Sequence, residues 1–302
     1  MSASSKTLVA GATGYIGRLL SLELARDGVD VRCLARDPAK ARDLADAGCE
    51  VVTGDVLRPE TLPAALAGVD GAYYLVHSMG RGADGDFAAR DRQAARNFGD
   101  AAANAGVELV VYLGGLAEGG SEHLRSRHET AEVLRDSGVP VTYLRAAAVI
   151  GAGSESFRVV LHLVRRLPVM ITPRWTATRT QPIAIADVLA FLRAAPGIDG
   201  ARGRDIEIGG PDVTTYGGMM DACGEAIGVG SRPRLPVPVL TPWASSMWIG
   251  LVTPVDAGVA RPLIEGAASE TVVSDPDGMR LFDVSPMPLD RAMREAVAEA
   301  TG

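Results

Sequence analysis

The sequence "LVAGATGYIGRLL", residues 8–20, joins an apolar run to a helix-compatible run through three glycines. Gly11 would permit a tight turn, Gly14 would let the backbone approach a diphosphate, and Gly17 would let helix and strand pack closely. The amino end of the following helix would offer backbone N–H groups and the positive end of its dipole. A lone glycine triplet is weak evidence, but this one lies between a clear strand and a clear helix. The stretch therefore predicts a dinucleotide site, with a purely structural glycine turn as the alternative.

Short apolar runs alternate with helix-length amphipathic stretches along the first 150 residues. The predicted strands cover residues 7–11, 30–36, 49–55, 71–77, 107–115 and 139–150. The predicted helices cover residues 18–27, 38–47, 59–67, 84–105 and about 122–137. Alternation of this kind is typical of βαβ units, whose strands lie parallel. The sequence therefore predicts an α/β fold, a Rossmann-type doubly wound sheet of six parallel strands.

The pattern changes after residue 150, where Pro- and Gly-rich segments replace the regular alternation. Such segments favour an irregular lobe over the carboxyl edge of the sheet. We expect a Rossmann domain over residues 1–150, which one more sheet-type unit at about residues 180–195 completes. Residues 151–302 are expected to form a smaller C-terminal lobe on the substrate side, with a helix over residues 155–166.

The composition narrows the classes of partner. The chain has 302 residues, 47% of them hydrophobic, so it can bury a full core. The formal net charge of −7 and the lack of a long Lys/Arg run give no electrostatic footprint for nucleic acid. We therefore expect a small-molecule ligand and no nucleic acid; the sequence does not indicate an oligomeric state or a protein partner. The first residues lack a basic segment followed by an apolar one, which favours a cytoplasmic location over secretion.

The cysteines and histidines do not predict a metal site. Cys33, Cys49 and Cys223 are an odd number without CxxC or Cys/His metal spacing, so we expect buried thiols and no disulfide. The four histidines are scattered along the chain. Metal ligands are therefore not expected among them.

One uncharged stretch, residues 235–255, is long enough to span a bilayer. Its four prolines confine any helix to about residues 243–251, which is too short to cross. We expect this segment to form core or the wall of a pocket rather than a transmembrane helix. Peripheral membrane contact is the alternative.

The end of the second predicted strand indicates which dinucleotide is bound. NAD-binding chains usually place an acidic residue there to accept from the ribose 2′-OH, whereas this chain has Arg36. A guanidinium can pair with a 2′-phosphate, so NADP(H) is the preferred cofactor and NAD(H) the alternative. The neighbouring Asp37 precedes a proline and is better explained as a helix N-cap. Asp55 is expected at the adenine amino group, or as a loop-capping aspartate.

Several further motifs resemble those of the NmrA-like NAD(P)H-binding group of atypical short-chain dehydrogenases/reductases. They are GATGYIG (11–17), VRCLARD (31–37), GDV (54–56), YYLVHSM (73–79), VVYLGGL (110–116), the run 126–157, the run 173–189 and SSMWIGLVTP (245–254). The resemblance implies that His77, Ser78, Tyr112, Gly114 and Arg145 lie along the cofactor. The motifs also contribute the predicted cofactor contacts Thr13, Tyr15, Ile16 and Val56.

The usual catalyst of that superfamily is a Tyr with a Lys four residues later, on the helix after the fifth strand. The Lys lowers the pKa of the phenol, which exchanges a proton with the substrate carbonyl. This chain has only Lys6 and Lys40, and neither follows a Tyr by four. Against the NmrA-like pattern, Leu124 stands at the Tyr position and His128 at the Lys position. The candidate catalytic residues are therefore His128 and Tyr112, with His128 expected at the cofactor ribose.

The segment "HLRSRHETAEVLR", residues 123–135, contains the spacings of an ordinary solvated helix face. The residues expected on that face are His123, Arg125, Arg127 and Glu129. Of the other histidines, His77 ends a strand at the cofactor edge, and His162 is expected to be packed or solvated. Arg179 and Gln181 enter a strand near the substrate edge, with plain loop residues as the alternative.

Two functions follow from these observations. The first is an NADP(H)-dependent reductase of a small apolar carbonyl, quinone or enone, with protonation by water, Tyr112 or His128. The second is a non-catalytic NADP(H)-binding sensor or assembly module. The reductase is the predicted function and the module its alternative, although the missing Tyr/Lys pair adds weight to the module, and the sequence leaves open whether the chain is an enzyme.

Overall fold

Seven parallel strands form the central sheet of the protein, for which a computed structural model describes residues 5–77, 87–116, 122–237 and 265–301. The strands of this sheet are β1 (Lys6–Ala10), β2 (Asp30–Ala35), β3 (Glu50–Thr53), β4 (Gly71–Tyr74), β5 (Leu109–Gly115), β6 (Val141–Ala146) and β11 (Asp205–Ile208). Their spatial order is β11-β6-β5-β4-β1-β2-β3. The Rossmann-type α/β fold is thereby confirmed.

Helices and short strands make up most of the remaining regular structure. The helices are α1 (Tyr15–Arg26), α2 (Arg42–Asp46), α3 (Leu62–Leu66), α4 (Phe87–Ala105), α5 (Glu122–Arg135), α6 (Glu155–Arg166), α7 (Ile185–Ala194), α8 (Tyr216–Ala226) and α9 (Leu289–Thr301). The 3₁₀ helices are Pro38–Ala41, Pro59–Thr61, Arg174–Ala177, Ala195–Gly197, Asp199–Ala201 and Met279–Leu281. The short strands are β7 (Val149–Ile150), β8 (Met170–Thr172), β9 (Arg179–Thr180), β10 (Ile183–Ala184), β12 (Thr214–Thr215) and β13 (Arg234–Pro236).

The strand order reverses between β1 and β4. The chain runs from β1 outward to β2 and β3, then crosses to β4 on the other side of β1. In open parallel sheets, the crevice outside the carboxyl ends of the strands at such a switch point is the usual ligand site. The loops after β1 and β4 therefore meet where a ligand is expected.

Alternate residues of each strand face opposite layers of helices. Leu8 and Tyr112 belong to the core on the side of α3, α4 and α5. Val9 and Val111 belong to the other core, which α1 and α7 cover. Helix α1 ends in a Schellman motif, because the N–H of Gly28 (φ +82°) bonds Ala25 and the N–H of Val29 bonds Leu24. This turn directs the chain into β2.

A third apolar cluster lies in the C-terminal half of the chain, and the helices that it joins are called the lobe below. It joins α6, α8 and α9 through residues such as Phe157, Met219 and Met293. The chain near Phe282 returns to the core between the sheet and α7, where its ring meets the edge of Phe191. The C-terminal half therefore supplies both the lobe and part of the Rossmann core.

The prediction of six parallel strands was wrong by one strand. The segment at residues 180–195 contributes α7 to the layer over the sheet, but β10 pairs with β7 outside the main sheet. The seventh strand is β11, which pairs with β6 and lies beyond the expected range. The predicted strand over 139–150 divides into β6 and β7, and α1 begins three residues earlier than expected.

Candidate functional site

The glycine-rich turn between β1 and α1 forms the floor of the candidate site. Gly11 has φ +91°, a left-handed conformation that favours glycine, and a Cβ there would lie 2.5 Å from the carbonyl oxygen of Leu75. A Cβ at Gly17 would overlap the carbonyl oxygen of Gly11. Both glycines are therefore required by close approach of the backbone, as the sequence predicted.

Gly14 differs from the other two glycines. It is the N-cap of α1, and a Cβ there would meet only the Gly11 carbonyl oxygen, at 3.3 Å, among the described atoms. Gly14 also lines a cavity. A side chain at Gly14 would project toward space that a ligand can use.

The first turn of α1 presents backbone donors to the same space. Among the described residues, no acceptor is found for the N–H groups of Tyr15, Ile16 and Gly17. No side chain there caps the helix. Free N–H groups and the positive end of the helix dipole together bind phosphate groups. The turn therefore fits the diphosphate of a dinucleotide.

A cavity of about 440 Å³ extends from this turn to the lobe. Its described lining comprises Gly11, Gly14, Tyr15, Ile16, Gly17, Leu75, His77, Leu113, Gly114, Gly115, Leu116, Leu124, Arg127, Ala146, Ala147, Ala148, Val149, Gly153, Ser154, Glu155, Ser156, Val159, Val160, Trp175, Tyr216, Met220, Gly266, Ala267 and Thr271. Most of these side chains are apolar or absent. The cavity thus joins a phosphate-binding turn to an apolar chamber.

Seven of the predicted cofactor contacts border this cavity. They are Gly11, Gly14, Tyr15, Ile16, Gly17, His77 and Gly114. Gly114 has to be a glycine for a reason that the sequence did not suggest, since a Cβ there would lie 2.6 Å from the ring of Tyr143. Ser78 lies outside the described residues.

The tyrosine ring at position 15 closes the turn against the loop after β7. A Cβ at Gly151 would lie 2.5 Å from the Tyr15 hydroxyl, and one at Gly153 would overlap the ring. Burial raises the pKa of Tyr15, beside the backbone of Gly153. These contacts fix the loop at residues 151–153 over the amino end of α1.

Tyr112, expected along the cofactor and as a proton donor, lies in the core instead. It is fully buried on the face of α3, α4 and α5, where its ring stacks on Tyr143 at 4.9 Å. Burial raises the pKa of Tyr112 well above its ordinary value, and it does not border the cavity. A catalytic role for Tyr112 has no support from this position.

Helix α5 turns a different face to the cavity from the one expected. Leu124 and Arg127 line the cavity, whereas His128 does not. The ring of His128 meets Tyr143 edge-on, with Nδ1 3.4 Å from the Tyr143 hydroxyl oxygen. Arg127, expected on the solvated face, is partly buried and lines the cavity, and the place of His128 does not support the predicted cofactor contact.

Two glutamates of α5 form ion pairs, one with a neighbouring helix and one along α5 itself. Glu129 forms an ion pair with Arg92 of α4, at 2.7 Å. Glu132 forms an ion pair with Arg135, three residues later in α5, at 2.9 Å. Arg125 is exposed, as expected.

The residues expected at the adenosine end lie along the ends of β2 and β3. Arg36 and Thr13 are exposed and do not border the cavity. Asp37 caps the following 3₁₀ helix as predicted, because its carboxylate accepts from the N–H of Ala39 at 3.1 Å. The Asp55 carboxylate accepts from the N–H of Leu57 at 3.0 Å, which is the loop-capping alternative. Val56 is buried in the core.

Arg145, also expected along the cofactor, is buried at the carboxyl end of β6. One nitrogen donates to the Leu116 carbonyl at 2.8 Å, and another lies 3.7 Å from a carboxylate oxygen of Glu207. The Glu207 carboxylate in turn accepts from the N–H groups of Ser274 and Asp275. These contacts join β5, β6, β11 and the loop at 274–275 beneath the cavity, and Arg145 does not line it.

The lobe contributes residues that the sequence did not identify. Glu155, Val159 and Val160 of α6 line the cavity, together with Trp175 and Tyr216. The apolar periodicity of α6 predicts a buried face, but it does not predict what that face covers. Arg179 lies in strand β9 and pairs with Glu270, whereas Gln181 follows that strand and donates to the carbonyl of Gly210; neither residue lines the cavity.

The described residues contain neither a cluster that could hold a metal ion nor a helix that could span a membrane. No group of three or more His, Cys, Asp or Glu side chains in the described ranges could hold a metal ion. No helix in that part of the chain is long and apolar enough to cross a membrane. Nearly all of the uncharged stretch at 235–255 lies outside the described residues. Cys33, Cys49 and Cys223 are free and buried, as predicted.

Comparison with known proteins agrees with this geometry. Residues 11–162 match a family model described as NAD(P)H-binding. The chain is 33% identical over 219 residues to the (4-alkanoyl-5-oxo-2,5-dihydrofuran-3-yl)methyl phosphate reductase of Streptomyces griseus, an alignment that covers 69% of each protein.

Other relatives match a shorter part. The chain is 44% identical over 62 residues to the photosystem II assembly factor Ycf39 of Trieres chinensis, which is 20% of this chain and 19% of that protein. Among solved structures, the triphenylmethane reductase of Citrobacter sp. complexed with NADP(H) superposes with a TM-score of 0.75 at 22% identity. That superposition covers 98% of this chain and 99% of the other. The chain therefore belongs to the NAD(P)H-binding family, and its motifs are those of the NmrA-like atypical short-chain dehydrogenases/reductases.

Proposed function

We propose that the protein is an NADPH-dependent reductase of a small, mostly apolar carbonyl, quinone or enone. The observation that carries this proposal is the continuity of the cavity, which runs from the glycine-rich turn to the apolar residues of the lobe. A nucleotide-binding module alone needs the turn but has no need of an apolar chamber beside it. Concave apolar chambers with a few polar groups are typical of small-molecule sites.

The residues of the turn would hold the cofactor. The N–H groups of Tyr15, Ile16 and Gly17 would bind the diphosphate, and the missing side chain at Gly14 leaves room for it. Arg36, exposed at the end of β2, would pair with the 2′-phosphate that distinguishes NADPH from NADH. When bound, NADPH supplies a hydride.

The chamber itself would bind and orient the substrate. Val159, Val160 and Met220 offer apolar surface that excludes water from the reacting centre. Arg127 is the cation among the described lining residues, and it would offset negative charge on the bound cofactor and on a reacting substrate oxygen. Burial raises the pKa of Tyr216 to about 12, so this phenol is a weak acid near neutral pH. We therefore propose that water supplies the proton.

The relatives support a reductase. The Streptomyces griseus protein is named for the reduction of a compound with an oxo-dihydrofuran ring and an alkanoyl group, and it matches over two thirds of both chains. Carbonyl groups of that kind belong to the substrate class proposed here.

The test is consumption of NADPH with a panel of quinones, enones and aldehydes, measured beside nucleotide affinity by fluorescence titration. Gly14→Val is the control variant, because it should lose both. The reductase proposal requires turnover that depends on substrate concentration and is absent in the variant. Tight NADPH binding without turnover of any panel member would contradict it.

A non-catalytic NADP(H)-binding module is the second candidate. The observation in its favour is that Leu124, a buried apolar residue, borders the cavity at the position of the expected catalytic Tyr. The short match to a photosystem II assembly factor also suits this function. Binding without turnover in the experiment above is the result that this candidate predicts.

A further inference from the structure

Three of the five exposed large apolar side chains among the described residues belong to segments that contact one another. They are Val169, Val229 and Leu235, which are exposed to 47%, 40% and 58%. Val169 precedes β8, Val229 follows α8, and Leu235 lies in β13. Single apolar residues on a surface are ordinary, whereas a group of them marks an interaction surface.

Hydrogen bonds tie these segments to the carboxyl end of α6. The N–H of Met170 donates to the carbonyl of Pro233 at 2.8 Å, where β8 meets β13. Nε of Arg232 donates to the carbonyl of Val164 in α6 at 3.4 Å. Val229 precedes that arginine by only three residues. The three exposed apolar side chains therefore share one region of the lobe.

The outer face of the β8–β13 pair is apolar. The register of the two strands sets Leu235 opposite Ile171, which is only partly buried. Side chains alternate between the two faces of a strand, so this face is opposite the one on which Met170 packs into the lobe core. Each face of this small sheet thus has its own apolar side chains, and the outer ones meet solvent.

Arginines surround these apolar side chains. Arg165 and Arg166 are exposed at the end of α6, beside the partly buried Arg232. Residues 164–172 and 224–237 carry four arginines and one glutamate, although the whole chain has a formal net charge of −7. We call this region the lobe surface; its members are Val169, Val229, Leu235, Arg165, Arg166 and Arg232.

Two other observations describe the charge at this place. The fourth arginine, Arg234, forms an ion pair with Asp221 of α8 at 2.5 Å. Burial, with the arginines of α6 nearby, lowers the pKa of His162, one turn before the end of that helix. The lobe surface is therefore a basic region of an acidic protein, and it complements a negatively charged partner.

The chain leaves the described residues from this same region. Val237, directly after β13, is the last described residue before 265, and the sequence carries no charge from there until Asp256. An uncharged continuation favours a partner with an apolar interior over an acidic protein.

We propose that the lobe surface binds a bilayer that contains anionic lipids. The three apolar side chains would enter the boundary between headgroups and acyl chains, and the arginines would contact lipid phosphates. Apolar residues with cations around them match the two layers of a bilayer surface. This inference goes beyond the proposed reductase function and does not depend on it.

Flotation with vesicles tests the wild type first. One set of vesicles contains phosphatidylcholine alone, and the other contains an equal part of phosphatidylglycerol, whose headgroup is anionic. We expect binding to the mixed vesicles to be at least about tenfold tighter and to weaken as salt is added. The net charge of −7 alone would give the opposite order. A wild type that does not bind the mixed vesicles would overturn the proposal and leave an acidic protein as the partner.

Two variants with matched controls test the surface itself. Arg165→Glu should weaken binding to the mixed vesicles by at least about fivefold. Arg26→Glu makes the same change on another exposed arginine in the last turn of a helix, and should leave binding within about twofold. Leu235→Ser should weaken binding by about fivefold, whereas Leu281→Ser, on an exposed leucine of the 3₁₀ helix Met279–Leu281, should not.

Thermal unfolding shows whether each variant is folded. Equal losses in a variant and its control would mean that net charge or stability governs binding, and would overturn the proposal. Should Arg165→Glu not fold, the dependence of wild-type binding on lipid charge and on salt decides: binding that is the same for both vesicles would contradict the proposal.

Discussion

Gly14 and Gly17 are three residues apart, but a side chain at Gly14 should affect NADPH binding, whereas one at Gly17 should affect the stability of the fold. Gly14→Val should abolish measurable NADPH binding, because the new side chain projects into the cavity beside the free N–H groups of α1. The melting temperature should fall by only a few degrees, since the φ of −79° at Gly14 suits any residue. Fluorescence titration and thermal unfolding measure the two effects.

The matched variant is Gly17→Ala, which should mainly lower the thermal stability and affect NADPH affinity only indirectly. Its Cβ would overlap the Gly11 carbonyl, so the fold itself has to shift. We expect a clear loss of thermal stability, and a loss of affinity only as a consequence. Unchanged NADPH affinity in Gly14→Val would refute the site.

Arg36 is the residue that should select the nucleotide. Arg36→Glu should weaken NADPH binding by about 1 to 3 kcal/mol and spare NADH, because only the 2′-phosphate contact is lost. Arg26→Glu is the control for net charge, because it makes the same change of charge on another exposed arginine, at the carboxyl end of α1. Equal losses for the two nucleotides would contradict the NADP(H) assignment.

Helix α5 carries two neighbouring side chains, Arg127 and His128, that should affect NADPH binding to different extents. Arg127 borders the cavity and His128 packs on Tyr143, so Arg127→Met should weaken NADPH binding by about fivefold to tenfold. His128→Ala should change it by less than about twofold. Equilibrium titration of both variants measures this, and a larger effect at His128 would restore the cofactor contact expected from the sequence.

His162 of helix α6 should make the stability of the protein depend on pH. Burial, with Arg166, Arg158 and Arg165 nearby, lowers the pKa of His162 below its ordinary value of 6.5. The unfolded chain therefore takes up this proton first as the pH falls, and the contribution of neutral His162 is present above about pH 6.5 and lost below it.

The measurement is the free energy of unfolding at about pH 7.5 and about pH 5.5 for the wild type and for His162→Gln. The wild type should lose more stability than the variant between the two pH values. Equal losses would show that His162 titrates as it does in the unfolded chain.

The strands that the sequence predicted are mostly apolar, with single polar residues such as Arg32 in β2 and Arg145 in β6. Strands β4 and β5 contain few polar residues, because both faces are covered by helices. Strand β11 was missed since Asp205 and Glu207 occupy half of its four positions. Glu207 is tolerated there because Arg145 and the N–H groups of the 274–275 loop meet its carboxylate, a tertiary contact that no local pattern encodes.

Across the whole molecule, residue spacing predicted the part of the site that is local in the chain, and the family resemblance added His77 and Gly114, which also border the cavity. The glycine turn is one continuous stretch, so spacing alone assigned its residues. Arg127, Trp175 and Tyr216 meet at one cavity although they are far apart in the chain. Their juxtaposition depends on how the lobe packs over the carboxyl edge of the sheet, which periodicity does not report.

Direct transfer of hydride tests the central claim, that the cavity brings an apolar substrate to NADPH. The protein is incubated with NADPH deuterated at the transferable position of the nicotinamide and with the enones and aldehydes of the panel, and the products are examined by mass spectrometry. We expect a product with one deuterium on carbon, formed by the wild type and not by Gly14→Val. Products without deuterium from every panel member, under conditions in which NADPH is bound, would contradict it.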